Sequence, residues 1–166
     1  MLTYRDATID DLTRIVDIYN STVPTRMVTA DTEPVSVESR LNWFHEHNPA
    51  TRPLWIIEED KNSIGWISFQ SFYGRPAYAA TAEISIYLDP SQRGKGLGKE
   101  VLQYSIDNAK TFGIKTLLGY IFAHNEPSLK LFMQLGFEEW AMLPNIAMLD
   151  GVERSLKIFG KRIATP

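Results

Sequence analysis

The segment 89–99, with the sequence Asp-Pro-Ser-Gln-Arg-Gly-Lys-Gly-Leu-Gly-Lys, combines glycines and basic side chains in a pattern that could bind an anion. It follows a strand pattern at 82–88 and opens a helical pattern. The first amides of a helix have no intrahelical acceptor, so they point outward as free donors. Glycine carries no Cβ, which lets a phosphate approach the backbone closely. The predicted anion-binding residues are Arg93, Gly94, Lys95, Gly96, Gly98 and Lys99.

The spacing of these glycines excludes two common nucleotide motifs. A Walker loop needs four residues between its first glycine and its Gly-Lys pair, whereas three residues separate Gly94 from Gly98. A Rossmann fingerprint would need a glycine at Lys99. The remaining pattern, Arg93-x-x-Gly96-x-Gly98, resembles the pyrophosphate-binding signature of the GCN5-related N-acetyltransferases (GNAT), whose ligand is acetyl-coenzyme A. The alternative interpretation is a glycine-bearing surface turn before an ordinary helix.

The strand before this segment carries a carboxylate. Its alternation places Glu83, Ser85 and Tyr87 on one face and the apolar Ala82 and Ile84 on the other. A titratable pair therefore lies close to the predicted anion site. The three histidines, at 45, 47 and 124, have no metal-site spacing with nearby carboxylates, so we predict no metal site.

Length and composition restrict the class of protein. The 166 residues, 44% of them apolar, predict one domain spanning 1–166. The absence of cysteine excludes a disulfide scaffold, a thiolate metal site and a cysteine nucleophile. A net charge of -3 with mixed signs argues against a nucleic-acid partner. Because we find neither a membrane-length apolar run nor a signal-peptide pattern, we expect a soluble, cytoplasmic protein with no membrane partner.

The first half of the chain predicts the elements that carry these residues. A short strand at 2–6 precedes a helix with a capping signal at Thr8. The segment 20–35 is polar, contains two prolines and is predicted to be a surface loop. A second helix from Ser36 has its two histidines in the last turn, where positive charge suits the helix dipole. Strands at 54–58 and 63–72 are predicted to form an antiparallel hairpin.

The second half alternates strands and helices around the glycine-rich segment. Gly and Pro interrupt 72–78, and this loop could line a substrate pocket. The apolar run 114–123 is typical of a strand buried on both faces. Asn125 is expected to cap a short helix that ends at Gly136. Two final strands are predicted to turn at Asp150-Gly151.

This order of elements resembles the GNAT fold over most of the chain. The resemblance implies an α/β (α+β) architecture in which helices flank a mixed, mostly antiparallel sheet. Within that superfamily, the stretches 31–36 (Asp-Thr-Glu-Pro-Val-Ser), 81–88 (Thr-Ala-Glu-Ile-Ser-Ile-Tyr-Leu) and 125–128 (Asn-Glu-Pro-Ser) are similar to the phosphinothricin/methionine sulfoximine acetyltransferase group.

The resemblance also implies how acetyl-CoA binds. The backbone of Ile86, Tyr87 and Leu88 would pair with the pantetheine arm as an added strand does, a mode in which main-chain groups provide affinity. The segment from Gly94 through Leu97 to Lys99 would hold the pyrophosphate. Asn125 would hydrogen-bond the cofactor arm, with Ser128 beside it.

Glu83 corresponds to the acidic residue proposed as the general base in that group. An ammonium is not a nucleophile, so its proton must be removed before the amine can attack the thioester. A free glutamate has a pKa of about 4.3, and burial or a relaying water would be needed to make it an effective base near neutral pH. The alternative is that Glu83 only accepts hydrogen bonds from Tyr87 or a neighbouring loop.

The sequence departs from the group's pattern at two positions of the site. Phe132 stands where many members carry a tyrosine that protonates the leaving thiolate, but a thiol pKa of about 8.5 makes that thiolate a tolerable leaving group. Ala79 stands where close relatives carry an arginine for the substrate carboxylate, and Arg75 is expected to substitute, with Tyr78 beside it. The C-terminal strands also lack the Trp- and His-bearing pattern of the herbicide-detoxifying members. Phosphinothricin is therefore not the expected natural substrate.

These observations predict an acetyl-CoA-dependent N-acetyltransferase that acts directly on a primary amine of a small molecule, an amino acid or an analogue. Two alternatives remain open: an acceptor that is a protein N-terminus or a polyamine, and a non-catalytic acyl-CoA-binding sensor. Aromatic residues near 72–78 and apolar C-terminal strands also predict a homodimer.

Overall fold

A seven-stranded mixed sheet forms the centre of the computed structural model, which describes residues 1–164. The strands lie in the order β1-β2-β3-β4-β5-β7-β6, and four α-helices flank them. The predicted mixed, mostly antiparallel sheet is confirmed. The elements are β1 (Leu2–Asp6), α1 (Leu12–Thr22), α2 (Leu41–His45), β2 (Leu54–Glu59), β3 (Asn62–Ser71), β4 (Thr81–Leu88), α3 (Leu97–Ala109), β5 (Thr116–Phe122), α4 (Glu126–Gln134), β6 (Glu138–Leu149) and β7 (Val152–Arg162).

Strand alternation divides the core between the two faces of the sheet. Ile67 and Phe69 of β3 pack with Ile84 of β4 in a cluster that includes the buried side of α3. Trp66, from the opposite face of β3, packs against Ile18 of α1. The polar face of β4 that carries Glu83 therefore lies on the α1 side of the sheet.

The sheet opens between β4 and β5, which pair in parallel. Their pairing covers only Thr81 to Glu83 on β4, opposite Thr116 to Leu118 on β5. β3 pairs with the other edge of β4 from Ala82 to Leu88, so that edge has a strand partner along this length. From Ile84 onward β4 thus has one backbone edge without a strand partner, and a wedge opens between the two strands.

The segment predicted as a loop at 20–35 is partly helical. α1 continues to Thr22, and a single 3-10 turn, Val23–Thr25, follows it. The hydroxyl of Thr22 donates to the carbonyl of Tyr19 at 2.7 Å, a local bond that accompanies the last turn of the helix. The predicted helix from Ser36 is shorter than expected, because a 3-10 turn at Glu38–Arg40 precedes the five-residue α2.

Both predicted hairpins are confirmed. Asp60 and Lys61 between β2 and β3 have φ of 51° and 66°, and Asp150 and Gly151 between β6 and β7 have φ of 52° and 77°. Positive φ at two central residues is the geometry of a two-residue turn whose twist matches the flanking strands. Among residues 1–164, no helix is long and apolar enough to cross a membrane.

Candidate active site

The glycine-rich segment forms an open turn at the N-terminus of α3. Gly94 and Gly96 have φ of 77° and 76°, in the left-handed region that favours glycine. A Cβ built on either residue would meet no atom within 4 Å, so the space beside the backbone is free. Within the described part of the chain, the amides of Gly94, Lys95 and Gly96 donate no hydrogen bond. These free donors are what an anion site requires.

The third glycine has a different role. A Cβ on Gly98 would lie 3.2 Å from Cδ2 of Leu131 on α4, so Gly98 allows the first turn of α3 to pack closely against α4. This packing places the start of α3 beside the wedge between β4 and β5. Arg93 and Gly98 both line that wedge.

The entry to the turn is fixed by Asp89. Ser91 donates to Oδ1 of Asp89 through its backbone amide at 2.9 Å and its hydroxyl at 2.6 Å. Nη2 of Arg14 on α1 contacts Oδ2 of Asp89 at 2.7 Å. These bonds lower the pKa of Asp89 to about 2, so the carboxylate stays ionised and ties the turn to α1.

The wedge itself is a cleft of about 440 Å³. One wall is the free backbone edge of β4, and the other walls come from β5, α4 and the segment after α1. Most predicted cofactor-binding residues either line this cleft or lie in the segment between Arg93 and Gly98. The lining includes Ile86, Tyr87, Leu88, Arg93, Gly98, Asn125 and Ser128. Gly94, Lys95, Gly96 and Leu97 occupy that segment, and Lys99 follows it.

Asn125 has structural partners within the chain. Its Oδ1 accepts from the amide of Ser128 at 3.4 Å, which confirms the predicted helix cap, and its Nδ2 donates to the carbonyl of Met27 at 3.1 Å. Nε2 of His124 contacts the carbonyl of Arg26 at 2.7 Å. These bonds hold Met27 and Val28 as a wall of the cleft, a role that local sequence patterns do not reveal. Contact between Asn125 and the cofactor stays a prediction.

A second cavity, of about 250 Å³, lies on the α1 side of β4. Ser85 and Tyr87 line both this cavity and the cleft, so the two spaces meet at β4. Polar groups from β3 and β4 form one side, and residues of α1, α2 and the segment before α2 form the rest. The lining residues are Ile15, Val16, Tyr19, Val35, Arg40, Trp43, Trp66, Ser68, Gln70, Glu83, Ser85 and Tyr87.

Glu83 is the acidic side chain that faces this second cavity. Burial raises the pKa of its carboxyl above the ordinary value. Over residues 1–164 its carboxylate has neither a hydrogen bond nor an ion pair, although it lies beside Gln70 in the β3–β4 register. The alternative in which Tyr87 or a loop donates to Glu83 is therefore not what the structure shows. A partly buried carboxylate without a partner is suited to accepting a proton from a ligand.

Tyr87 is packed between two aromatic neighbours. Its ring stacks on Trp66 with centroids 4.5 Å apart and lies 5.2 Å from the ring of Tyr19. Burial raises the pKa of the Tyr87 hydroxyl, so the phenol remains neutral. The packing role considered for Tyr87 is thus present in the structure.

Arg75 and Tyr78 are not among the residues that line the cavity of Glu83. They line a separate cavity with Arg52 and Phe112. A 3-10 turn at Pro76–Tyr78 folds this loop, and Nη2 of Arg52 donates to the carbonyl of Ala79 at 2.6 Å. The structure therefore places Arg75 and Tyr78 in the lining of this cavity and not in that of the Glu83 cavity, and their contact with a substrate stays a prediction.

Gln70 and Arg40 are among the residues of the second cavity that were not predicted as site residues. Gln70 shares its β3 face with Trp66 and Ser68, and strand alternation would have assigned that face once the β3–β4 register was known. Arg40 had no signal in the sequence, because it lies in the turn before α2. The described residues contain no cluster of three or more metal-binding side chains.

Comparison with known proteins identifies similar chains. A family profile described as "Acetyltransferase (GNAT) domain" matches residues 1–138. The chain is 50% identical to a Bacillus subtilis (strain 168) protein named "Putative phosphinothricin acetyltransferase YwnH", over 98% of this chain and 100% of that one. It is 30% identical to the L-amino acid N-acyltransferase MnaT of Escherichia coli (strain K12), over 85% of this chain and 82% of that one.

A solved structure supports the same comparison. The phosphinothricin acetyltransferase from Sinorhizobium meliloti, determined in complex with acetyl-CoA, superposes with a TM-score of 0.89 at 26% identity. The match covers 97% of this chain and 88% of that one. Both sequence and structure therefore agree with the resemblance seen in the motifs.

Proposed function

Since the chain belongs to the GNAT acetyltransferase family, it is an N-acetyltransferase that uses acetyl-CoA, and we propose that it transfers the acetyl group directly to the primary amine of an amino acid or amino-acid analogue. The observation that carries the proposal is the meeting of two cavities at Ser85 and Tyr87, with Glu83 in the smaller one. Two ligands bound in these cavities would meet across β4, as direct transfer requires.

The residues of the larger cleft fit acetyl-CoA. The unpaired edge of β4 offers backbone groups to an extended pantetheine arm. The free amides at Gly94 to Gly96 and the side chains of Arg93 and Lys99 fit a pyrophosphate. Acetyl-CoA supplies the acetyl group as an activated thioester.

Glu83 is proposed to prepare the acceptor. Its carboxylate takes a proton from the bound ammonium, directly or through a water molecule, and the free amine then carries the lone pair that forms the new bond. Its raised pKa moves it closer to neutral pH, where a base transfers protons most effectively. Phe132 is buried on α4 and has no proton to donate, so we propose that the thiolate leaves without a protein acid from α4.

The size of the second cavity favours a small acceptor. Its volume of about 250 Å³ lies below the range of about 300–1,000 Å³ typical of drug-sized ligand sites. The relatives' names include an L-amino acid acyltransferase and phosphinothricin acetyltransferases, which supports the same class of acceptor. An amine of amino-acid size is therefore the acceptor we propose.

We further propose that the protein forms a homodimer through β6 and β7. β6 is an edge strand of twelve residues, and its exposed side chains include several large apolar ones. A long apolar edge strand on a monomer invites pairing with another chain. The exposed residues are Trp140, Met142, Leu143, Ile146, Met148 and Val152.

A thiol-release assay tests the proposed activity. Acetyl-CoA would be incubated with the protein and a panel of amino acids, polyamines and short peptides, and free CoA would be measured with a thiol reagent. We expect release that depends on the amino acid, with the acetylated amine identified by mass spectrometry. Turnover of polyamines or peptides alone would replace the proposed acceptor class, and binding of acetyl-CoA without turnover of any amine would indicate a sensor instead.

A further inference from the structure

Arg40 is the basic side chain that lines the cavity of Glu83, among the residues that the structure describes. The other polar lining groups from the sheet, Ser68, Gln70 and Ser85, are uncharged. Between them lie aromatic and aliphatic walls that include Trp43 and Trp66. The cavity thus presents one cationic and one anionic side chain, together with uncharged polar, aromatic and aliphatic groups.

Arg40 is held in place by neighbours that leave part of its donor set free. Its Nη2 contacts Oδ2 of Asp31 at 2.9 Å. Its guanidinium carbon lies 4.8 Å from the centre of the Tyr19 ring, and the Tyr19 hydroxyl donates to the same Asp31 carboxylate. Within residues 1–164, Nε and Nη1 of Arg40 make no hydrogen bond. A guanidinium has five N–H donors, so these free groups can still bind a carboxylate.

We propose that Arg40 binds the α-carboxylate of the acceptor while Glu83 receives the proton of its α-ammonium. This inference rests on the proposed transfer to an amino acid and names the residue that selects that class. A zwitterion would present its cationic group to Glu83 and its anionic group to Arg40, and its side chain would pack against the aromatic walls. Asp31 contacts Arg40 through one nitrogen, which holds the guanidinium without using its whole fork.

The position of Arg75 strengthens this assignment. Arg75 is the arginine that the sequence suggested for the carboxylate, but it lines a different cavity from Glu83. An amino acid spans only a few bonds between its amine and its carboxylate, so both groups must be recognised within one cavity. Arg40 lines the same cavity as Glu83, whereas Arg75 lines another.

The test compares each amino acid with its primary amide, which keeps the amine and side chain but removes the negative charge. For L-methionine and L-leucine, kcat/KM of the acid is divided by kcat/KM of the amide, in the wild type and in Arg40→Gln. We expect this ratio to fall about 10- to 100-fold in Arg40→Gln, since a charge-assisted pair is lost. Arg40→Lys keeps the positive charge but loses the paired N–H donors of the guanidinium, so the ratio should fall less in this variant.

The ratio makes the result independent of how much enzyme is folded, because both substrates are measured on one preparation. Arg75→Gln serves as the competing variant, and we expect its ratio to match the wild type. An unchanged ratio in Arg40→Gln, or a fall in Arg75→Gln alone, overturns the role of Arg40 while acetyl transfer to amino acids stands. Absence of turnover with every amine tried would overturn the proposed function itself, and this inference with it.

Discussion

At the scale of single residues, substitution of Glu83 is expected to change turnover without changing stability. Its carboxylate has no partner within the described residues, so Glu83→Gln removes the proton acceptor without breaking an internal bond. We expect turnover at pH 7 to fall by roughly 10²–10⁴, while melting temperature and acetyl-CoA affinity change little. The loss should shrink as pH rises toward the pKa of the acceptor amine, because solution then supplies the free amine.

The exposed Glu46 provides a matched control, since Glu46→Gln makes the same chemical change at a residue that does not line the cavity. Near-normal turnover of Glu83→Gln at pH 7 would show that the amine loses its proton elsewhere. Kinetics over a range of pH, together with calorimetric titration of acetyl-CoA, provide the measurements.

His47 is a second residue for which we make a prediction, because its environment should make the stability of the protein depend on pH. Nε2 contacts the Ser68 hydroxyl at 2.6 Å and Nδ1 contacts the carbonyl of Trp43 at 2.9 Å. Burial lowers the pKa of His47, so the unfolded chain, with a histidine pKa of about 6.5, binds the proton more readily than the folded chain. The free energy of unfolding should therefore decrease as pH falls below about 7 toward the lower folded pKa.

Thermal unfolding of the wild type and of His47→Gln across this pH range tests whether stability decreases as pH falls. The variant should be less stable at neutral pH, because two hydrogen bonds are disturbed, yet its melting temperature should depend less on pH. The exposed His45 gives the control substitution, His45→Gln, which should retain the wild-type slope. Equal slopes in the wild type and His47→Gln would contradict the assignment.

At the scale of elements, the turn that starts α3 can be tested with a pair of glycines. Gly96 and Gly113 have nearly equal φ, 76° and 77°, and a Cβ at either would meet no atom within 4 Å. Valine at either position should cost stability of similar size, about 1–2 kcal/mol, from left-handed backbone strain. Only Gly96→Val should also weaken acetyl-CoA binding, by at least about tenfold.

Gly113 follows the 3-10 turn at the other end of α3 and lines the cavity of Arg75, not the cleft. Gly113→Val therefore measures the cost of the backbone strain alone, with no change in the cleft. The readouts are thermal unfolding and the dissociation constant for acetyl-CoA. If Gly96→Val kept wild-type affinity with an intact fold, the turn would not be the pyrophosphate site.

At the scale of the whole molecule, the exposed hairpin of β6 and β7 predicts the oligomeric state. Ile146 and Met148 are 58% and 57% exposed and lie on the same face of β6. We expect the wild type to have about twice the monomer mass of 18.9 kDa by light scattering. Lysine at both positions should give a monomer, because two charges would be buried in the interface.

Ile9→Lys is the matched control. Ile9 is 48% exposed, but it lies before α1, remote from β6 in the sheet order, so this variant should keep the wild-type mass. A monomeric wild type at micromolar concentration would remove the dimer proposal.

The sequence by itself determined the local features of this protein. Strand alternation assigned Glu83 and Tyr87 to one face of β4, and the structure places both in the same cavity. The dipeptide Asp150-Gly151 predicted the last hairpin, and Asn125 predicted the start of α4, because turns and caps depend on residues adjacent in the chain. The free amides beside Gly94 and Gly96 follow from the same local chemistry.

Only the tertiary structure decided which distant segments share a cavity. Pairing of β4 with β5 stops after Glu83, and that parting creates the cleft, yet the alternation of β4 and the apolar run of β5 both continue past this point without interruption in the sequence. Arg40 reaches the cavity of Glu83 because α1, α2 and the turn before α2 pack on one face of the sheet, whereas Arg75 lines a different cavity. Periodicity reports which face of an element is apolar, but it carries no information on which other element covers that face. The proposed recognition of the acceptor therefore depends on tertiary packing, whereas the proposed anion turn depends on local sequence.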